Sequence, residues 1–213
     1  MKSVHFAKKK GKKVKEKRLA RKIRLKTLLV IPYLFHPQQP FCCVPACIQM
    51  ILATNTIRIP SQEFIAKHLD FRIPKKHRRD FKGDYTVKEK PKRGYGVQQT
   101  EENINAFLSK NGFPLKAKRH LISGIKNPEK FIEENLRKGN YLMPIFNLEV
   151  LGGKKEGHAV LIISFNPKTK KVRIADPAKK KNRIRLLDLS RIVEGMSSKW
   201  DGNEREFYVF SRK

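Results

Sequence analysis

The stretch QPFCCVPACIQMIL, residues 39–52, holds all three cysteines of the chain, at positions 42, 43 and 47, and its reading decides the fold. Val44, Ile48, Ile51 and Leu52 share one face at helical spacing, and Pro45 suits a first turn, where its missing N–H is no loss. The spacing predicts a helix from Cys43 to about Thr54. Cys43 then sits at the positive end of the helix dipole, where a thiolate is stabilised and the pKa falls, as a nucleophile requires. Cys47 lies one turn on and reads as core, while Cys42 precedes the helix and has no role that the sequence reveals. Three thiols, two of them adjacent, make a poor disulfide framework and point to a reducing compartment. With His36 they lack the second cysteine pair, or the paired histidines, of a zinc site, so neither a metal nor a cofactor is expected.

A thiol nucleophile needs a base, and six histidines compete for the part. His5 is in a basic arm, His36 precedes Pro37 in a loop, and His68, His77 and His120 have basic or mixed surroundings. His158 differs. It follows Gly157 and opens the apolar run Ala159-Val160-Leu161-Ile162-Ile163, which places it at the end of a core strand. The segment NPKTK, 166–170, is a turn between two strands. Folding the hairpin near residue 168 brings position 158 opposite about 178, whereas folding it about Pro167 brings His158 opposite Asp176. Within one residue of register the two are cross-strand neighbours, about 5 Å apart at Cα. A carboxylate beside an imidazole fixes its tautomer and supports the imidazolium. Asp176-Pro177 also reads simply as the start of a turn.

Outward from these residues, the 213-residue chain is globular in composition, with 39% hydrophobic and 9% aromatic residues, but carries a net charge of +30. Residues 1–27 hold 13 Lys/Arg and one acid, Glu16, and the remaining +18 is spread over the body. The division predicted is a basic arm over 1–27, too poor in apolar residues to fold alone, and one domain over 28–213. Such a field attracts polyanions. Lys8, Lys9, Lys10, Lys12 and Lys13 in the arm, with Lys75, Lys76, Arg78 and Arg79 in an extended basic loop over 70–96, are the candidate nucleic-acid contacts. The run Leu28–Phe35 is broken by Pro32 and too short to span a bilayer, which takes about 20 apolar residues. It reads as a buried strand, and a cytoplasmic protein is expected.

Further helices are predicted after Ser61 through His68, after Thr100 to Gly112, and from Asn127-Pro128 to Gly139. Then the period changes. Tyr141–Asn147, His158–Phe165, Lys171–Asp176, Arg183–Leu187 and Glu206–Ser211 read as strands, with a short helix over Asp188–Glu194. Helices first and an antiparallel sheet second predict an α+β fold.

Cys43-Val44-Pro45-Ala46-Cys47-Ile48-Gln49-Met50-Ile51-Leu52 resembles the nucleophile helix of the bacteriocin-processing (double-glycine) peptidase-like family, in the papain-like cysteine peptidase clan. Val30-Ile31-Pro32-Tyr33 with Gln38 is similar to that family's strand leading to an oxyanion glutamine. Gly157-His158-Ala159-Val160 and Ala175-Asp176-Pro177 match its Gly-His-Ala-Val and Asp-Pro elements, in the same order. The resemblance covers about 28–211. Val44 stands where the family usually has Gly, and Gln38 precedes Cys43 by five residues where many papain-like enzymes use six.

The resemblance implies a papain-like cysteine peptidase fold and a thiol hydrolase acting on a peptide or acyl substrate, with acyl transfer open to the same machinery. Cys43 would be the nucleophile, His158 the base, Asp176 its orienting carboxylate, and Gln38 an oxyanion donor, with Gln39 the weaker candidate. The rival expectation is a basic, nucleic-acid- or ribosome-associated protein on the same scaffold with little or no catalysis.

Overall fold

In the computed structural model, residues 29–178, 183–198 and 202–213 are described. The basic arm, with Lys8 to Lys13, lies outside them.

The nucleophile segment forms α1, Cys43–Ala53. Val44, Ala46, Cys47, Ile48, Met50, Ile51 and Leu52 are all buried, so the helix is apolar nearly all round and packs as a central core element. Each large aliphatic side chain buried this way contributes about 1.5–3 kcal/mol, which makes α1 a rigid mount for its first residue. Helix α2, Gln62–His68, begins where Ser61 accepts a hydrogen bond from the Phe64 N–H. It packs on α1. Helix α3, Glu101–Lys110, starts in a reciprocal cap between Thr100 and Asn103 and buries Ile104, Phe107 and Leu108. Helix α4, Pro128–Arg137, is capped by Asn127, and the chain turns out of it through Gly139 at φ 75°. Helix α5, Leu189–Ser197, runs three residues past its expected end at Glu194.

Among the described residues, eight strands make one sheet in the order β10-β9-β8-β6-β11-β5, with β1 on β8 and β7 on β6. These strands are β1 Leu29–Val30, β5 Leu115–Leu121, β6 Tyr141–Asn147, β7 Gly157–Ala159, β8 Leu161–Asn166, β9 Lys171–Ala175, β10 Ile184–Asp188 and β11 Glu206–Arg212. Every pairing in it is antiparallel. Helices α4 and α5 both pack on β6, which is buried along its whole length, and α1 packs on β7. The α+β class with an antiparallel sheet is the one expected, but the order is less segregated than helices first and sheet after, since β1 precedes α1 and β5 lies between α3 and α4. Among the described residues, no helix is long and apolar enough to cross a membrane.

Three expectations need correcting. The segment 70–96 is not an extended loop. Strands β2 Phe71–Pro74, β3 Thr86–Val87 and β4 Gly96–Val97 form a small sheet of their own, linked by a 3-10 turn over Lys75–Asp80. Its core is an aromatic cluster in which Phe71 meets Phe81 and Tyr85 at ring-centroid distances of 4.9 and 5.2 Å. The run before the nucleophile is strand only over Leu29–Val30, because past Ile31 the chain leaves the sheet at Pro32. The strand expected over His158–Phe165 is two pieces, parted at Val160, and β7 pairs β6 alone.

Candidate active site

Cys43 is the first residue of α1, and its half-buried thiol opens on a cleft of about 420 Å³. The residue two before it, Phe41, has φ 60°, a left-handed conformation unusual for an aromatic residue, and this bend delivers the chain into the helix. Gly96 (φ 121°) lies against that bend, where a Cβ would come within 3.2 Å of the Phe41 carbonyl oxygen. Phe41 and Gly94–Val97 therefore form one wall of the cleft.

His158 and Asp176 meet the thiol from the sheet. His158 is 4% exposed and Asp176 0%, and His158 Nε2 lies 2.8 Å from Asp176 Oδ1. Their backbones are not opposite each other. The register Leu161↔Ala175 and Ile162↔Ile174 centres the hairpin on residue 168, which sets Val160 rather than His158 across from Asp176. Nearer the turn the pairs are Ser164↔Arg173 and Phe165↔Val172, and the bulge between Ile162 and Ser164 shifts the register by one residue, so that Val160 rather than Leu161 faces Asp176. The side chains span the diagonal instead. His158 pairs with Phe146 of β6. With Nε2 on the carboxylate, the other ring nitrogen, Nδ1, is left to act on the Cys43 thiol, which His158 helps to hold below its usual pKa.

The electrostatics separate the three thiols. Burial pushes Cys43 up, but the bond and charge of His158, with the Ala159 and Val44 N–H groups directed at the sulfur, outweigh it and bring the thiol below its usual value. Burial drives Cys42 and Cys47 up, and the neighbouring Cys43 adds to the rise. Burial pulls His158 down, yet its bonds to Asp176 and Cys43 prevail and lift it to about 9. Burial pushes Asp176 up, and the His158 bond, the Ala178 N–H and Arg185 reverse this and hold it low. The arrangement favours a thiolate beside an imidazolium.

Gln38 lines the same cleft as Cys43, while Gln39 is exposed and outside it. The Gln38 N–H donates to the Pro177 carbonyl at 2.9 Å. Val44, in the place of the family's glycine, is buried in the first turn and also lines the cleft. Lys75, Lys76 and Arg79 are exposed on the 3-10 turn, and Arg78 is drawn aside to Phe81 O and Asp84; none of the four lines the cleft. Among the described residues, no three His, Cys, Asp or Glu side chains are placed to hold a metal.

Several contributors carry no sequence signal. Gln62, buried in α2, accepts from the Gln39 N–H at 2.7 Å and donates to Pro37 O at 2.8 Å and Gln49 Oε1 at 2.9 Å, fixing the loop that bears Gln38. Arg185 places Nη1 3.9 Å from Asp176 Oδ2, an oxygen with no hydrogen-bond partner, and Nη2 3.3 Å from Leu151 O. Buried Glu206 ties Arg93 at 2.9 Å and Arg119 at 3.1 Å, and Arg93 also holds Gln99 O, which anchors the 93–99 wall to β11. These depend on contacts between distant segments, which no local pattern announces.

Residues 28–202 match the family described as "Peptidase_C39 like family". Among solved structures, the peptidase domain of Streptococcus ComA, a bi-functional ABC transporter involved in a quorum-sensing pathway, is similar at 13% identity. The match covers 84% of this chain and 98% of that one, with a TM-score of 0.48. No curated protein is significantly similar to the chain.

Proposed function

Because the chain belongs to the Peptidase_C39-like family, we propose that it is a thiol peptidase with Cys43 as nucleophile, His158 as acid and base, Asp176 as orienting carboxylate and Gln38 as oxyanion donor. The observation that carries this reading is the line Cys43–His158–Asp176, closed by the 2.8 Å bond between the last two and opening on one cleft with Gln38.

The Cys43 thiolate attacks the substrate carbonyl carbon, a C–S bond forms, and the carbonyl electron pair moves to oxygen. That oxyanion is held by the Gln38 side-chain amide and the Cys43 backbone N–H, donors set in place before the charge develops. The C–N bond then breaks, and the departing amine takes the proton from His158. Water attacks the thioester, giving its proton to His158. The C–S bond breaks, the acid leaves, and the thiolate–imidazolium pair is restored. Asp176 keeps the imidazole in one tautomer and orientation throughout. In this reading residues 28–213 form the peptidase domain, with 1–27 a basic appendage.

A broad thiol-directed acyl probe tests the proposal. Full-length protein is expected to label at Cys43, and Cys43→Ala to lose the label. Labelling at Cys42 or Cys47 with Cys43 untouched, or no labelling of folded protein, overturns it in favour of a scaffold without catalysis.

A further inference from the structure

We infer, building on the thiol-peptidase reading, that the cleft selects acidic peptides, binding carboxylates of the substrate close to the bond presented to Cys43. The cleft is lined by Lys90, Lys92, Arg93, Lys154, Lys155 and Arg205, against two carboxylates, Glu156 and Glu206. Glu206 presents no charge to a ligand. It is 1% exposed, and its oxygens are occupied by Arg93 at 2.9 Å and Arg119 at 3.1 Å. What faces a bound chain is two exposed lysine pairs with Glu156 beside one of them.

The pairs come from the two segments that build the site. Lys90 and Lys92 precede the Gly94–Val97 wall, and Lys154 and Lys155 precede His158 on the chain entering β7. The whole chain is basic, at +30, so attraction of anions in general would be unspecific. Placement beside the thiol makes these lysines selective, because charges within a Debye length of about 10 Å act on the bound segment and distant ones are screened. The cleft has also accommodated a carboxylate of the protein itself, since the guanidinium clamp on Glu206 borders it. A peptide suits the site better than a nucleic acid. The charges line the same cleft as Cys43, which in the proposed reaction attacks an acyl carbon, and the Gly94–Val97 segment against Phe41 forms one wall of that cleft.

Two isosteric alkylators, anionic iodoacetate and neutral iodoacetamide, test this on the full chain without a known substrate. In each, Cys43 Sγ forms a bond to the methylene carbon and iodide leaves. The readout is the ratio of the two rates at Cys43, located by peptide mapping. Part of any preference for the anion comes from the His158 imidazolium, so the decisive quantity is the change on charge reversal. Lys154→Glu with Lys155→Glu, and separately Lys90→Glu with Lys92→Glu, are expected to lower the ratio about fivefold at about 20 mM salt, an effect that fades by about 0.5 M. Lys110→Glu with Lys116→Glu, exposed and outside the cleft, should leave it within about twofold. In a second arm, a Glu-rich decapeptide should slow iodoacetamide labelling of Cys43, and a Lys-rich one should not. A ratio unmoved by either cleft pair, or moved equally by the outside pair, overturns the inference while leaving the nucleophile intact. So does protection by a single-stranded oligonucleotide with none by the acidic peptide, which would assign the charge to nucleic acid. Failure of iodoacetamide to label Cys43 any faster than Cys42 or Cys47, below the ordinary thiol pKa of about 8.5, overturns the peptidase reading, and this inference with it.

Discussion

The Gln38 N–H donates to the Pro177 carbonyl at 2.9 Å, joining the loop that leads to the nucleophile helix to the turn that holds Asp176. Asp176 Oδ1 in turn accepts from the Ala178 N–H at 3.0 Å and meets His158 at 2.8 Å. The proposed oxyanion donor and the orienting carboxylate are thus set by one turn, and displacement of the Asp-Pro turn moves both.

Asp176→Asn keeps the shape of the side chain but removes the charge that fixes the His158 tautomer and supports its imidazolium. The expected result is a fall in kcat/KM of about 10²- to 10⁴-fold, by the logic that applies to serine triads. Far-ultraviolet circular dichroism should be unchanged. Steady-state kinetics on a cleaved peptide, or the rate of acyl-probe labelling, measures the loss. A change of less than about threefold would make Asp176 a turn residue only.

The pH dependence follows from two opposed shifts. Cys43 lies below the ordinary thiol value, so its reactivity should set in at lower pH than that of an ordinary thiol and fall as acid protonates the sulfur. His158 is raised to about 9, so turnover should fall as pH rises through about 9, where the imidazolium loses the proton that the leaving amine needs. A bell is expected for kcat/KM, with its alkaline limb near 9. Iodoacetamide alkylation, which needs the thiolate and no proton donor, should keep its rate on that limb. The limbs belong to the coupled pair rather than to either residue alone. An alkaline limb near 6.5 would show an imidazole unsupported by Asp176.

Gln38 and Gln39 differ in what they face. Gln38→Ala removes a donor from the oxyanion site and should lower kcat by about 10²- to 10³-fold, with KM little changed. Gln39→Ala alters an exposed side chain outside the cleft and leaves its backbone bond to Gln62 in place, so kcat should stay within about twofold. Equal effects at the two positions would refute the assignment.

Much of this was legible in residue patterns, for physical reasons that also mark where legibility ends. Helix α1 shows itself because its apolar positions cover almost the whole surface, and α2, α3 and α4 because Ser61, Thr100 and Asn127 each cap locally. Strand β5 does not. Four of its seven residues, Lys116, Lys118, Arg119 and His120, are cationic or imidazole, and it buries only Leu115 and Ala117 at the edge of the sheet. The β2–β4 sheet is hidden because its stability comes from rings brought together across loops. At the site, Cys43, His158 and Asp176 stand out by their setting, and Gly-His at a strand edge survives even though the strand breaks. Their register was legible only as one of two foldings: the hairpin centred on residue 168 is the one found, and the two side chains meet across the diagonal although Val160, not His158, faces Asp176. Gln62 was unreadable in principle, since its three partners lie on segments that meet only after folding.

Gln62 therefore offers a test of that packing. Gln62→Leu leaves the Gln39 N–H and Pro37 O without their partner in a part-buried setting. An unfolding free energy lower by about 1–3 kcal/mol is expected from denaturant titration. The kcat should fall with it under conditions where the variant is fully folded, because the loop that presents Gln38 is released. A stability loss with unchanged kcat would make Gln62 a structural residue alone.

The chain from Ile31 to Cys42 carries no helix or strand, yet it brings Gln38 to the site and enters α1 through the bend at Phe41. Four backbone bonds, from Ile31 to Ile163, Gln38 to Pro177, Cys42 to Gln39 and Ala46 to Cys42, and the grip of Gln62 hold it among the described residues. The eight-stranded sheet is held by continuous ladders. Opening this strap costs less than melting the sheet, because segments with few buried bonds open locally well before the whole domain does. On warming, turnover should fade while circular dichroism still reports an intact fold, and return on cooling. Heat would act on this protein first as a reversible off-switch and only later as a denaturant.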